Sequence, residues 1–548
     1  MDESICKPTD SDVSNELQKT FKTLTCSKNE TASAVLVAGL RGDCADVREG
    51  AVRSLLERRS NVATRELLKA WATVDDGMMA IAQEKASRLT KPIRDALFGR
   101  DDPLRKLACQ AAVDVREYDS IGALASAASD HHNPSASLCA ATLRSLAELL
   151  SDELEAPRNY KRRDPALVRN HAVSALESVV NRTRIRTRPE IIEAFLLLAK
   201  RENTTLLRIL QDADDPVHPL LIRIFETSRR PGVVRLLIDL LENRQTPRKA
   251  LNIIRHRTDR RFLKNLFTRF SDKTSDRAAS NLGRVESFDW AGGDLGQLTA
   301  LEDLCQRGAV AIAVHSGIDR QVALQVVCRL ARDGSDVGRT AALAATTNFE
   351  GAKVDRLVLD GLEDSSPSVQ AEAARQLSQR SVPGSTKLLI GLLESPYEEV
   401  ASAARQNFTD FTIERYLEKF ESLSSDARRE AGDLVRRVDE KAADALRVEL
   451  AVEVDARRLR AIEVAAATKL TETLDGELSD LLADENHLIR AEATRVLATV
   501  DTETARDALR GALVDPSPIV RQIAEEGLLE NLSPTTELGT APFAEATQ

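Results

Sequence analysis

Asp484-Glu-Asn-His-Leu-Ile-Arg490-Ala-Glu-Ala is followed by Asp515-Pro-Ser-Pro-Ile-Val-Arg521-Gln-Ile-Ala. Asp484 to Asp515 and Arg490 to Arg521 both span 31 residues. Val369 and Val400, in Ser-Pro-Ser-Val369-Gln-Ala-Glu-Ala-Ala and Tyr-Glu-Glu-Val400-Ala-Ser-Ala-Ala, again lie 31 apart. A fixed period of this size marks one supersecondary unit stacked many times. In the last copy Ile519, Val520, Ile523, Ala524 and Leu528 fall at helical spacings, and Pro516 and Pro518 sit in the turn, where they interrupt no helix. Such a helix cannot bury its apolar stripe alone, so neighbouring units complete the core. The period predicts an all-α solenoid of antiparallel helix pairs, elongated and essentially without strand.

Asp515 is placed to accept from free amides at the start of the second helix. Arg521 is placed to reach a carboxylate or carbonyl of a neighbouring unit with its planar fork. Asp484, Arg490, Asp515 and Arg521 are therefore read as a structural ladder between repeats. The Asp-x(5)-Arg spacing, the turn proline and the period resemble the HEAT repeat in its short bacterial and archaeal form, and are similar to the repeats of phycobilin lyases. Clear copies run from Val337 to Leu532 and weaker ones from Thr31 to about Glu177. Three departures stand out: Gln370 replaces Arg, Ser395 replaces Asp, and the Asp43–Arg48 gap is one residue shorter. The resemblance implies an α-solenoid used as a scaffold, adaptor or regulator through protein contacts.

At 548 residues the chain exceeds an ordinary single-core domain, a limit that a repeat array escapes. Aromatic residues are 3%, too few to line a deep ligand cavity, and charged residues are 30%, as amphipathic helices with a wet face require. No apolar run reaches the ~18 residues of a membrane span. The opening Met-Asp-Glu-Ser lacks the basic and apolar regions of a secretory signal. Seven scattered cysteines without a Cys-x-x-Cys pair fit a reducing compartment. The expectation is a cytoplasmic protein.

In chain order, residues 1–30 are expected to be partly disordered, with a capping helix placing Leu17, Phe21 and Leu24 on one face. Residues 31–284 form a first half, with second helices starting near Val47, Leu104, Leu138 and Val168. Residues 285–300, with Trp290-Ala-Gly-Gly-Asp-Leu-Gly296, read as a junction. Residues 301–532 carry the C-terminal repeats, and 533–548 read as a disordered polar tail.

No catalytic constellation emerges. His131 and His132 match no zinc pattern and are read as a polar loop. Gly384-Ser-Thr-Lys387 lacks the upstream glycine of a phosphate loop. Neither a metal nor a cofactor is expected. HEAT-like DNA glycosylases use aromatic residues and an acid in a basic groove, but Trp71 and Trp290 both lie outside the basic segment. A nucleic-acid-binding protein, such a glycosylase included, and a phycobilin-lyase-like enzyme remain the alternative readings to a non-catalytic scaffold.

The basic segment is the feature that a bare scaffold does not require. Residues 157–270 hold 25 Lys and Arg against 12 Asp and Glu, whereas the whole chain is −10. Arg162, Arg163, Arg184, Arg186, Arg255, Arg257, Arg260, Arg261 and Lys264 are the candidate docking residues. A solvated face balanced by acids of neighbouring units is the competing reading. As a docking surface it would suit an acidic protein, with nucleic acid or anionic lipid as further candidates, or the acidic part of a second copy in weak self-association.

Overall fold

The computed structural model describes residues 10–58, 60–157, 164–183, 187–380 and 382–532. Among these the chain is helical throughout and contains no strand. Within each of its two units helix pairs stack in order of sequence, as the HEAT-like α-solenoid that the period predicts. Packing divides the chain into two compact units between Arg329 and Leu330. The expected junction at 285–300 therefore lies inside the first unit.

In the first unit the helices form two rows. The second helices of successive pairs pack on one another: Asp10–Cys26 on Ala45–Glu57, then Asp102–Asp114 on Ala136–Glu155, and onward through Pro189–Leu198, Pro231–Asp239, Arg260–Arg269 and Asp303–His315. Thr31–Gly39, Asn61–Lys69, Thr90–Leu97 and Ile121–Ser129 begin the other row. The capping helix is longer than its apolar stripe suggested, and Phe21 lies so close to Gly50 that a Cβ there would overlap the ring. Local chemistry sets many helix starts. Asp101 accepts from the Leu104 amide with Pro103 in the first turn, and Asn203 accepts from Leu206. Caps of this kind contribute about 1 kcal/mol each.

The second unit displays the ladder. The Arg490 guanidinium donates to the carbonyls of Asp484 (2.9 Å) and Glu485 (3.1 Å) in its own turn. It also donates to both carboxylate oxygens of Asp515 in the next turn, at 2.9 and 3.1 Å. Asp515 in turn accepts from the Ser517 amide at 2.7 Å. One arginine thus closes its own turn and grips the following one. Arg458 repeats this with Val452 O (2.8 Å) and Asp484 (3.0 Å), and Arg339 with Gly334 O (2.9 Å) and Asp364 (2.8 Å). Arg521 bonds the carbonyls of Asp515 and Pro516 within its own turn, and has no following acid in the described residues.

The three departures now have physical accounts. Gln370 keeps the bond to its own turn, Nε2 to Asp364 O at 2.6 Å, but is too short and neutral to grip onward. Residue 395, 25 positions on, is where its carboxylate partner would stand, and Ser395 stands there instead. Both halves of one rung are missing together. In the first unit Arg48 donates to Gly42 O (2.9 Å), Asp43 O (3.0 Å) and Asp75 (2.7 Å). Gly42 therefore occupies the position of Asp484, and the turn itself is not shortened.

Candidate partner-docking site

The C-terminal end of the basic segment is built on two helices. In Arg248–His256 the residues Ala250, Leu251, Ile253 and Ile254 are buried, which turns Arg248 and Lys249 to solvent and leaves Arg255 half-exposed. In Arg260–Arg269, Asp259 caps the helix by accepting from Phe262 N at 3.1 Å. Phe262, Leu263, Leu266 and Phe267 face inward, so Arg260, Arg261 and Lys264 face outward. The 3.6-residue period alone separates the cations from the core.

The candidate residues do not share one environment. Arg162, Arg163, Arg184 and Arg186 lie outside the described residues. Arg257 is buried and does not fit a docking role. Its guanidinium donates to Phe225 O (2.8 Å), Ser228 O (3.1 Å) and Asp259 (2.8 Å), and lies 4.6 Å from the Phe262 ring centre. Arg58 donates likewise to Leu24 O and Asn29 O, and Arg380 to Thr346 O and Phe349 O. Each of these arginines follows a helix end and ties it to carbonyls about one repeat earlier in sequence. This second structural use of arginine escaped the sequence reading, although its position just past a helix was visible.

Much of the remaining basic charge is answered by acids on neighbouring helices. Glu193 lies between Arg144 (3.5 Å) and Arg230 (3.4 Å). Arg230 also pairs with Glu148, and Arg235 with Glu155. Arg269 pairs with Glu242 at 3.1 Å, and Lys264 with Glu302 at 2.5 Å. The Glu302 carboxylate holds the Lys264 ammonium above its ordinary pKa. Burial pushes the Glu193 and Asp239 carboxyls above the usual carboxylate range, despite the cations beside them.

Arg248, Arg260 and Arg261 differ: their guanidinium groups make no ion pair or hydrogen bond among the described residues. Arg255 Nε donates to His256 Nε2 at 3.0 Å, and His256 Nδ1 lies 3.0 Å from Asp289 Oδ2. Two clefts flank this bridge. One, of about 530 Å³, is lined by Arg248, Asn252, Arg255, Arg284 and Glu286. Arg284 is held in place there by Thr246 O (2.9 Å) and Asn281 Oδ1 (3.0 Å). The other, also about 530 Å³, lies between the start of the Arg260–Arg269 helix and the glycine-containing stretch. That stretch is docked rather than free: the Trp290 ring meets Phe267 edge-on at 5.0 Å and Phe288 at 5.5 Å. Gly308 lets the next helix approach this core, since a Cβ there would overlap the Phe267 carbonyl.

In the His131–His132 loop the His132 amide donates to Asp130 Oδ1 at 2.9 Å, an ordinary Asx turn. No group of three or more potential metal ligands occurs among the described residues. None of the helices described is long and apolar enough to cross a membrane.

No protein-family model matches the chain, and no curated protein matches it. Among solved structures it is similar to Kap121p bound to Ste12p, with 12% identity over 96% of this chain and a TM-score of 0.31. The chain spans 65% of that Kap121p chain. It is similar to importin beta, with 14% identity over 95% of this chain and 80% of the other, at a TM-score of 0.29. It also resembles the full-length AP-3 complex in an intermediate open conformation, a homology model, with 12% identity over 94% and 99% of the two chains and a TM-score of 0.35. Likenesses of this size argue for no shared partner or activity.

Proposed function

We propose that the protein is a non-catalytic, cytoplasmic scaffold that docks an acidic protein on the arginines of the Arg248–His256 and Arg260–Arg269 helices. The observation that carries this reading is a contrast in charge pairing. Arg144, Arg230, Arg235 and Arg269 are compensated within the chain, whereas Arg248, Arg260 and Arg261 keep all their guanidinium donors for another molecule. Glu193, Asp239, Lys264 and Asp515, whose pKa values are displaced, belong to structural ion pairs and line neither cleft. Forked guanidinium groups suit carboxylates on a partner surface and accelerate encounter at low salt.

The test reverses Arg248, Arg255, Arg260 and Arg261 to Glu together, with folding checked by thermal melt. Partners recovered from native cells by the wild-type protein are identified by mass spectrometry. The folded variant is expected to lose a specific set of acidic proteins. Equal recovery by both proteins would leave these arginines as a solvated face and refute the reading. A parallel reversal of Arg162, Arg163, Arg184 and Arg186 measures what the rest of the segment adds. A duplex-DNA partner would instead show affinity falling steeply with salt and little dependence on any one arginine.

A further inference from the structure

The cleft beside Trp290 has a chemistry that a charged docking face does not need. Its floor is apolar: Leu263, Trp290 and Leu298 are buried and Leu301 is half-buried. Its rim is polar: Thr258, Arg260, Asp289, Asp294 and Gln297. At about 530 Å³ it is far larger than a hydration site and falls in the range of pockets that hold organic groups. Two of its wall residues carry unused donors. The Trp290 indole N–H is buried without an acceptor, and the Arg260 guanidinium is unpartnered among the described residues. The arginine cleft begins on the far side of the Arg255–His256–Asp289 bridge, and Asp289 itself lines the apolar cleft.

The geometry points to a socket that takes one large apolar side chain of an extended peptide, with the peptide's acidic residues entering the neighbouring arginine cleft. This deepens the acidic-partner reading and rests on it. The apolar side chain fills the floor formed by Leu263, Trp290, Leu298 and Leu301. Backbone carbonyls of the peptide accept from Arg260, and its amides donate to Asp294. Carboxylates one or a few residues away reach Arg248, Arg255 and Arg284. An apolar anchor in a desolvated pocket beside arginines is the composition from which most of the affinity of a protein interface comes. The socket's own rim sets Arg260 against Asp289 and Asp294, so the preference for an acidic over a basic neighbour comes from the adjoining cleft, where three arginines face one acid, Glu286.

The chain has two tryptophans, and Trp71 is buried far along the sequence with its indole bonded to Asp114 at 2.9 Å. A Trp71→Phe background whose melt matches wild type therefore makes Trp290 the single emitter. The probes are fluorescein-labelled acetylated heptapeptides bearing two aspartates beside a central Phe, Leu or Met. Control peptides replace the apolar residue by Ala or both aspartates by Asn. At least one parent peptide is expected to bind saturably by anisotropy. The same peptide without its label should shift Trp290 emission along the same curve. The Ala control should bind at least tenfold more weakly, as should the folded variants Leu301→Arg and Arg260→Glu. If the Ala control or the Leu301→Arg variant binds as well as the parent, the socket is refuted. If binding still depends on Arg248 and Arg255, the acidic-partner reading survives that result. If no peptide binds below about 1 mM, the socket is likewise refuted, while the partner-recovery experiment decides the broader reading separately.

Discussion

Replacing Arg490 by Met would break one rung of the ladder while keeping the volume of the side chain. The substitution leaves the Asp515 carboxylate, whose side chain is 8% exposed, without its two charge-assisted bonds. It also strips the Asp484 and Glu485 carbonyls of a shared donor. Hydrogen bonds to charged groups contribute about 1.5–3 kcal/mol, and Asp515 keeps its bond from Ser517. The net cost is therefore about 2–3 kcal/mol. Asp515→Asn removes the charge but retains that turn bond, so about 1–2 kcal/mol is expected, with a coupling between the two sites of about 1–2 kcal/mol. Global unfolding of a two-unit chain is no two-state reporter, so local hydrogen exchange followed by mass spectrometry is the assay. Amides of residues 486–532 should exchange about 30- to 140-fold faster in Arg490→Met, because 1.4 kcal/mol is tenfold. Residues 367–405 serve as the internal control. That region permits the converse experiment. Gln370→Arg with Ser395→Asp installs the missing rung, and the pair should slow exchange by more than the two single changes combined. Additive effects at 490 and 515, or no synergy at 370 and 395, would refute the idea that the arginine acts by gripping the next turn. The Asp515 carboxyl is held below its ordinary value of 3.8, first by its hydrogen bond from Arg490. A depressed folded-state pKa means that this stabilisation is complete above the unfolded value and is lost as pH falls through the folded one.

Two further outcomes follow from the first unit. Arg257→Met should destabilise the fold by about 2–4 kcal/mol, because the carbonyls of Phe225 and Ser228 lose buried donors, whereas Arg261→Met should shift the melt little. Equal shifts would show that Arg257 is not a structural tie. Glu193→Gln should be neutral or slightly stabilising at neutral pH and should lose any such gain in mild acid. Burial raises the folded-state pKa of Glu193, so folding favours its protonated form, and its contribution turns unfavourable as pH rises past that value. Melts of wild type and variant across pH 4–7 check the sign, and a variant less stable at pH 7 than at pH 4 relative to wild type would show that the pairing with Arg144 and Arg230 outweighs desolvation.

The helix pairs, their order and the Arg490–Asp515 rung were legible in the residues alone. Those properties rest on local periodicity, turn residues and a repeat that places each unit beside the next. The amide hydrogen bond accepted by Asp515 was legible from spacing, as were the second-helix starts near Val47, Leu104, Leu138 and Val168, found at Ala45, Asp102, Ala136 and Pro165, because capping and amphipathicity act within a few residues. Arg521, expected to reach a neighbouring unit, bonds its own turn instead. Charge counting over 157–270 could not separate Arg257 from Arg260. The two are three residues apart, yet one lies under the preceding repeat and the other points to solvent. Nor could it show that Arg230 meets Glu148, 82 positions earlier, or that Lys264 meets Glu302, 38 positions later. Glycines 292, 293 and 296 read as a break because backbone freedom is a local property. Whether such a stretch docks depends on what faces it, and Phe267 and Phe288 provide an aromatic seat for Trp290. Side-chain partners across repeats are a matter of three-dimensional register. Only the tertiary structure decides which cations are already neutralised and which remain available to another molecule.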